Sequence, residues 1–320
     1  MNQKISIMIL LSVFLVNSCG KDPSTKENKL MSSQKIGDIF LSEKTRLLLE
    51  AKKEAERLSQ TTKNYLENRT EENLLIWQKN WISAHQSFIE TTFLLNSENY
   101  SKIESWPITP GFLDSLEDYP YSGIVNDTAI EISPQVLEDQ HMITDPSEIS
   151  LGFHVLEYYA FERNQIDLNT SKESEPRRRK LIALTSDMLV KEISKLGTAI
   201  PKSADISYPD LIATIKEKVE LLYFEVRSGE HSKFSNNTEK IIRFELEVLN
   251  ILVNDTFEIN KYIYEASPEL GEQLTYLLED ILEENITENS TNESRYLDRL
   301  IPKLLELQEI LIELEIYISK

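Results

Sequence analysis

Apolar side chains recur at three- and four-residue steps along most of this chain, a spacing that an α-helix turns into one continuous buried stripe. Ile36, Phe40, Leu47, Ala51, Ala55 and Leu58 form such a stripe within Ile36–Tyr65, and Leu74–Leu95 repeats it with Trp77, Trp81, Phe88 and Leu95. The same spacing marks Leu181–Leu196, Leu211–Val226, Thr238–Val253, Leu270–Leu282 and Tyr296–Ile318. Ser207-Tyr208-Pro209 and Ser267-Pro268-Glu269 each offer a capping hydroxyl followed by proline in the first turn. Sustained alternation bounded by Asn-Gly or Asp-Gly, the mark of a sheet, is missing. The expected fold is all-α, with two antiparallel helical-bundle halves joined by short polar connections.

The polar stretch Asn164–Pro176 divides these halves, giving an N-terminal helical domain over 34–165 and a C-terminal bundle over 176–320. One excursion interrupts the first half. Trp106–Pro146 carries five prolines and two glycines, too long for an ordinary connection. Its Trp106, Phe112, Tyr119 and Tyr121 predict an ordered, packed segment. Glycine elsewhere is scarce: the eight in 320 residues show no G-x-G-x-x-G, P-loop or G-x-S-x-G spacing, which excludes the usual Rossmann enzymes, P-loop NTPases and α/β-hydrolases. With 34 basic against 54 acidic side chains, a net charge of −20, nucleic acid is an unsuitable partner.

The first residues read as an address. Lys4 followed by apolar Ile5–Val16 has signal-peptide dimensions and is too short to span a bilayer. Val16-Asn17-Ser18-Cys19 resembles a bacterial lipobox. That resemblance implies a lipoprotein signal peptide over 1–18, lipidation of Cys19, and a polar tether over 19–33 holding the chain at the membrane. The competing reading is a plain secretory signal with an incidental cysteine. Cys19 is the only cysteine, so an internal disulfide is impossible. Lys21-Asp22 weakly resembles a surface-export tag, which leaves the periplasmic and surface-facing sides of the outer membrane both open.

Chemistry has few carriers. The four histidines, at 85, 141, 154 and 231, fit neither His-Glu-x-x-His nor His-x-x-Glu-His. Gly152-Phe-His154-Val-Leu-Glu157 remains, with imidazole and carboxylate three residues apart on one helical face. That pair can bind a metal ion, or it can be a buried hydrogen bond. Gly152 has no side chain, so another helix could approach closely there. His85 is read as a helix-surface or bundle-facing residue, and His141 and His231, in polar segments, as exposed.

Gly152–Phe161 (GFHVLEYYAF) resembles the Gly-x-His-x-x-Glu signature of the imelysin-like family, the peptidase M75 group. Further likenesses are Trp77-Gln-Lys-Asn-Trp81 leading to Glu90, Trp106-Pro107-Ile108 leading to Asp114, Tyr119–Val125, Phe234-Ser235-Asn236-Asn237-Thr238, Pro268-Glu269-Leu270 and the last helix. The chain departs from the family at Val253-Asn254, where an aromatic-glycine step belongs, and lacks the glycine- and aspartate-rich closing segment. The resemblance implies two helical halves with a binding site near their junction. It implies metal ligands at His154, Glu157, Glu90 and Asp114, with Trp106, Tyr158 and Tyr159 around them. It also implies a metal-ion cargo, iron first, with zinc, manganese or calcium as alternatives and haem still open. The expected role is iron uptake in the cell envelope, beside an iron permease or outer-membrane receptor. An M75-type metallopeptidase and a metal-free surface binding module are the competing readings; the sequence itself carries no HExxH and no catalytic triad.

Overall fold

The computed structural model describes residues 30–116, 118–119, 121–162, 174–287 and 293–318. The signal segment, Cys19, most of the tether, Pro120 and most of the Asn164–Pro176 divide lie outside these residues. Among the described residues there are eleven α-helices and no strand, an all-α fold as expected. In order they are α1 (Ser33–Glu67), α2 (Glu71–Thr92), α3 (Pro110–Leu113), α4 (Pro134–Gln140), α5 (Phe153–Glu157), α6 (Ser174–Thr198), α7 (Tyr208–Ser228), α8 (Thr238–Ile251), α9 (Ile259–Ala266), α10 (Pro268–Thr287) and α11 (Glu293–Ile318). α5 and α8 each run on into a π-helical turn, at Tyr158–Glu162 and Leu252–Thr256. No helix among the described residues is long and apolar enough to cross a membrane.

Local chemistry fixes the helix starts. Ser32 and Thr70 accept from the backbone N–H three residues on, and Ser207 with Asp210 forms a reciprocal capping box ahead of α7. α7 stops at Gly229, whose φ of 63° is the left-handed conformation that glycine adopts without strain. The apolar stripes then do what their spacing requires. Leu47, Leu48, Ala51, Ala55 and Leu58 of α1 are buried, as are Trp77, Trp81 and Phe88 of α2 and Leu300, Leu304, Leu307, Leu311 and Leu314 of α11. Each large apolar side chain so buried contributes about 1.5–3 kcal/mol. α1 packs along α2 and α6, and α7 along α11, with α9 and α10 closing the second bundle. α2 also meets α8. α6, placed in the second half by the sequence reading, packs against α1, α4 and α5. Residues 31–320 form one compact unit.

The Trp106–Pro146 excursion is held by two consecutive arginines at the start of α6. Arg177 donates to the carbonyls of Val125 (2.9 Å), Ile124 (3.0 Å), Asp127 (2.6 Å) and Ile130 (2.7 Å), four acceptors that no helix or strand would satisfy. Arg178, 1% exposed, grips fully buried Asp114 with two guanidinium nitrogens, one of them 2.8 Å from Oδ1. The same guanidinium also reaches Glu175 at 3.1 Å. Asp114 is therefore the anchor of the excursion. Removing one partner of a buried ion pair leaves an uncompensated charge. Asp114→Ala is expected to lower unfolding stability by about 3 kcal/mol, against about 0.5 kcal/mol or less for Glu90→Gln on the α2 surface, both read by urea denaturation.

Candidate metal centre

Four side chains from distant parts of the chain converge between the two bundles: His85 of α2, Glu104 of the turn before the excursion, His154 of α5 and His231 just past α7. The imidazole centroids lie 5.1–5.3 Å apart. All three Nε2 atoms face the Glu104 carboxylate. His154 Nε2 is 2.5 Å and His231 Nε2 2.9 Å from Oε1, and His85 Nε2 is 3.1 Å from Oε2. The four side chains are 0–5% exposed.

Gly152 makes this convergence possible. Its φ is +95°, and a Cβ there would sit 2.6 Å from the carbonyl oxygen of Ile103. Only glycine combines that backbone conformation with that approach. The close contact lets Phe153 N–H donate to the same carbonyl at 2.9 Å, which sets the first residue of α5 against the residue before Glu104. The segment that comes close is thus a turn rather than a second helix. On α5, Nδ1 of His154 lies 2.7 Å from Glu157 Oε2, as the three-residue spacing predicts. The other oxygen of Glu157 accepts from Ser235 N–H (2.9 Å) and Oγ (2.7 Å), so the Phe-Ser-x-x-Thr segment of the second half clamps the signature glutamate. Trp81 forms a wall: its ring stacks on His85 at 4.7 Å and its Nε1–H donates to the Phe153 carbonyl. Trp106 lies over His231, with ring centroids 5.3 Å apart.

Burial would neutralise isolated imidazoles, and the carboxylates decide which escape that fate. For His154, desolvation is outweighed by Glu104 and Glu157, which push its pKa up to about 9. His231 is raised well above the usual imidazole value, as Glu225 and Glu104 overcome the same penalty. His85, with only Glu104 beside it, is lowered by burial. Glu104 overcomes its own burial through His85, His154 and His231 and is held well below the ordinary carboxylate range.

The other residues named from sequence lie apart from this group. Glu90 sits on α2 with its side chain 35% exposed, 3.6 Å from Arg46, and Asp114 is engaged by Arg178. Tyr158, 2% exposed, packs on Tyr159 and Phe234. His231 is buried rather than exposed, because Gly229 turns the chain back toward Glu104. His141 is half-buried, Nε2 facing the Ser101 carbonyl at 3.2 Å. His85, Glu104 and His231 carry no linear motif. The available sign was His85 four residues after Trp81, on the same face of an apolar helix.

The donor set fits a transition-metal ion. Three imidazoles and a carboxylate suit zinc, iron or manganese. Metal-binding histidines typically direct their second nitrogen to a carboxylate, and here Nδ1 of His154 faces Glu157 while Nδ1 of His231 lies 3.1 Å from Glu225. His85 Nδ1 is buried without a hydrogen-bond partner, which leaves Nε2 as its functional nitrogen.

Raised imidazole pKa values tie stability to pH. The protonated form of His154 is favoured in the folded state, so its contribution is complete below the unfolded value near 6.5 and is lost as pH rises through about 9. Thermal unfolding of metal-free protein should therefore show the midpoint falling between pH 7 and pH 10, with a flatter profile in His154→Gln.

The profile of the imelysin family, Peptidase M75, matches residues 49–282. No curated protein sequence matches. A solved structure with the same fold is an iron-regulated protein A precursor from Parabacteroides distasonis, at 9% identity and a TM-score of 0.66, covering 91% of this chain and 97% of that one. With its signature glutamate clamped across the bundle junction and most of its length matched, this chain belongs to the imelysin family.

Proposed function

We propose that the protein captures a transition-metal ion, iron foremost, at His85, Glu104, His154 and His231, and hands it on in iron uptake at the cell envelope. The observation that carries this reading is the convergence of three Nε2 atoms on one buried carboxylate, with two of the outer nitrogens already facing further carboxylates. The ion is cargo. Glu157 and Glu225 orient the imidazoles, Ser235 fixes Glu157, and Trp81 and Trp106 limit access by water. The Parabacteroides structure of the same fold is named an iron-regulated protein, which supports looking to iron first. A cavity of about 320 Å³ beside Glu104 is at the small end of ligand sites, which favours a bare or lightly chelated ion over haem. The lipobox-like Val16–Cys19 supports an anchored lipoprotein that meets a permease or outer-membrane receptor.

Three imidazoles also occur in hydrolytic zinc sites, which gives the peptidase reading more ground than the sequence did. Burial opposes it, since side chains 0–5% exposed are out of reach of a polypeptide substrate.

Calorimetric titration of Fe(II), Zn(II) and Mn(II) into metal-free protein, with elemental analysis, tests the reading. Binding should be abolished in His154→Ala/His231→Ala and weakened about 10–100-fold in Glu157→Gln. Affinity should rise from pH 6 to pH 9, because the ion must displace the proton that His154 retains up to about 9. Failure of the native protein to bind any of these ions, or equal binding by the double variant, would refute it. Peptide hydrolysis lost on chelation would favour the peptidase.

A further inference from the structure

His231 has two faces, and only one belongs to the site above. Its Nδ1 lies 3.1 Å from Glu225 of α7, Glu245 of α8 stands in the same group, and one donor atom from each of the three residues lies within 4.8 Å of the others. The residues are buried, at 2%, 4% and 0% exposure. Although they are crowded together, Glu225 Oε2, His231 Nδ1 and both oxygens of Glu245 are not aligned in any hydrogen bond. Two carboxylates so close in a protein interior cannot both stand ionised without a cation or a proton to compensate them, and burial beside Glu225 pushes the pKa of Glu245 up to about 8.

Besides the His231 ring, a lysine supplies positive charge here. The ammonium of Lys218, on α7, lies 2.6 Å from Glu245 Oε1 and 3.9 Å from Glu225 Oε1, and 5.1 Å from the centroid of the Phe93 ring. It is a point charge on a flexible four-carbon stem. The 320 Å³ cavity that reaches Glu104 is lined by Lys218 and Glu225 too, with Tyr100, Trp106 and Phe224 as its walls. The stem therefore has room to swing away from Glu245 without entering packed core.

We propose that Glu225, Glu245 and Nδ1 of His231 form a second site for a divalent transition-metal ion, which displaces the Lys218 ammonium into the adjoining cavity and shares the His231 ring with the first ion. Two carboxylates and one imidazole suit manganese, iron, cobalt or zinc. A doubly charged ion compensates the carboxylates directly, in place of the ammonium it displaces and the His231 ring proton it releases. His231 yields one ring proton to solvent for each ion it takes. The bridge rests on the three-histidine reading; the carboxylate pair and its lysine stand independently of it.

Co(II) titration of the full chain, with cobalt-edge anomalous diffraction, separates the two. The wild type should take up two ions, the second about tenfold or more weaker than the first because it must displace Lys218. Lys218→Met should tighten the second step by about tenfold. Glu245→Gln, which keeps the side-chain volume, should abolish that step and leave the first affinity within about threefold. The second anomalous peak should fall among Glu225, Glu245 and His231. A single equivalent in both wild type and Lys218→Met, or a second equivalent that survives Glu245→Gln, overturns the second site and leaves the first intact. No uptake by any variant removes both.

Discussion

A carboxylate held in the interior is among the more costly things a fold can contain, and Glu104 is held there by three imidazoles. Much of the junction follows from that one group. Its negative charge needs positive partners, so His154 and His231 are drawn in and kept protonated, and each brings another carboxylate to its far nitrogen. Those carboxylates need partners in turn: Glu157 finds Ser235, and Glu225 shares Lys218 with Glu245. The result is a chain of paired charges running from α5 to α8 through an otherwise apolar interior. On the proposed reading, the same negative centre that organises the imidazoles would hold them ready as ligands, an ion replacing the protons they share with it.

The helical fold was legible because helical periodicity is a local property. The stripes within α1, α2, α7, α8 and α11 appear in the sequence with the phase they have in the structure. The His154–Glu157 contact was legible for the same reason, being set by the pitch of one helix. Glu104 and His231 are different. They are 127 residues apart and meet only because Gly152 lets α5 touch the Ile103 carbonyl and Gly229 turns the chain back after α7. Nothing near either residue in the sequence reports that meeting. Polar surroundings suggested an exposed His231, whereas the carboxylates of Glu104 and Glu225 make its burial tolerable.

Asp114 and Glu90 illustrate the complementary error. An acidic residue close to an aromatic-rich segment has the chemistry of a ligand, and only tertiary structure reveals what else can satisfy it. Arg178, 64 residues away in sequence, takes both oxygens of Asp114 and turns it into a structural anchor. Glu90 lies 3.6 Å from Arg46 on the neighbouring helix, outside the histidine cluster. The excursion was expected to be ordered on the strength of its aromatic residues. Much of its order comes from Arg177, whose guanidinium gathers four carbonyls of a segment without regular structure.

The clamp of Ser235 on Glu157 joins a hydroxyl and an amide of the second bundle to a carboxylate of the first. Nearly three-quarters of the way along the chain, it closes a circuit that began at His85. An ion seated among the imidazoles would tighten the same circuit, because its ligands come from both sides of the junction. Each tenfold excess of ion over its dissociation constant adds about 1.4 kcal/mol to the folded assembly. Loading would thereby be translated into mechanical cohesion between the bundles, a property that could be sensed from the outer helices without any contact to the metal.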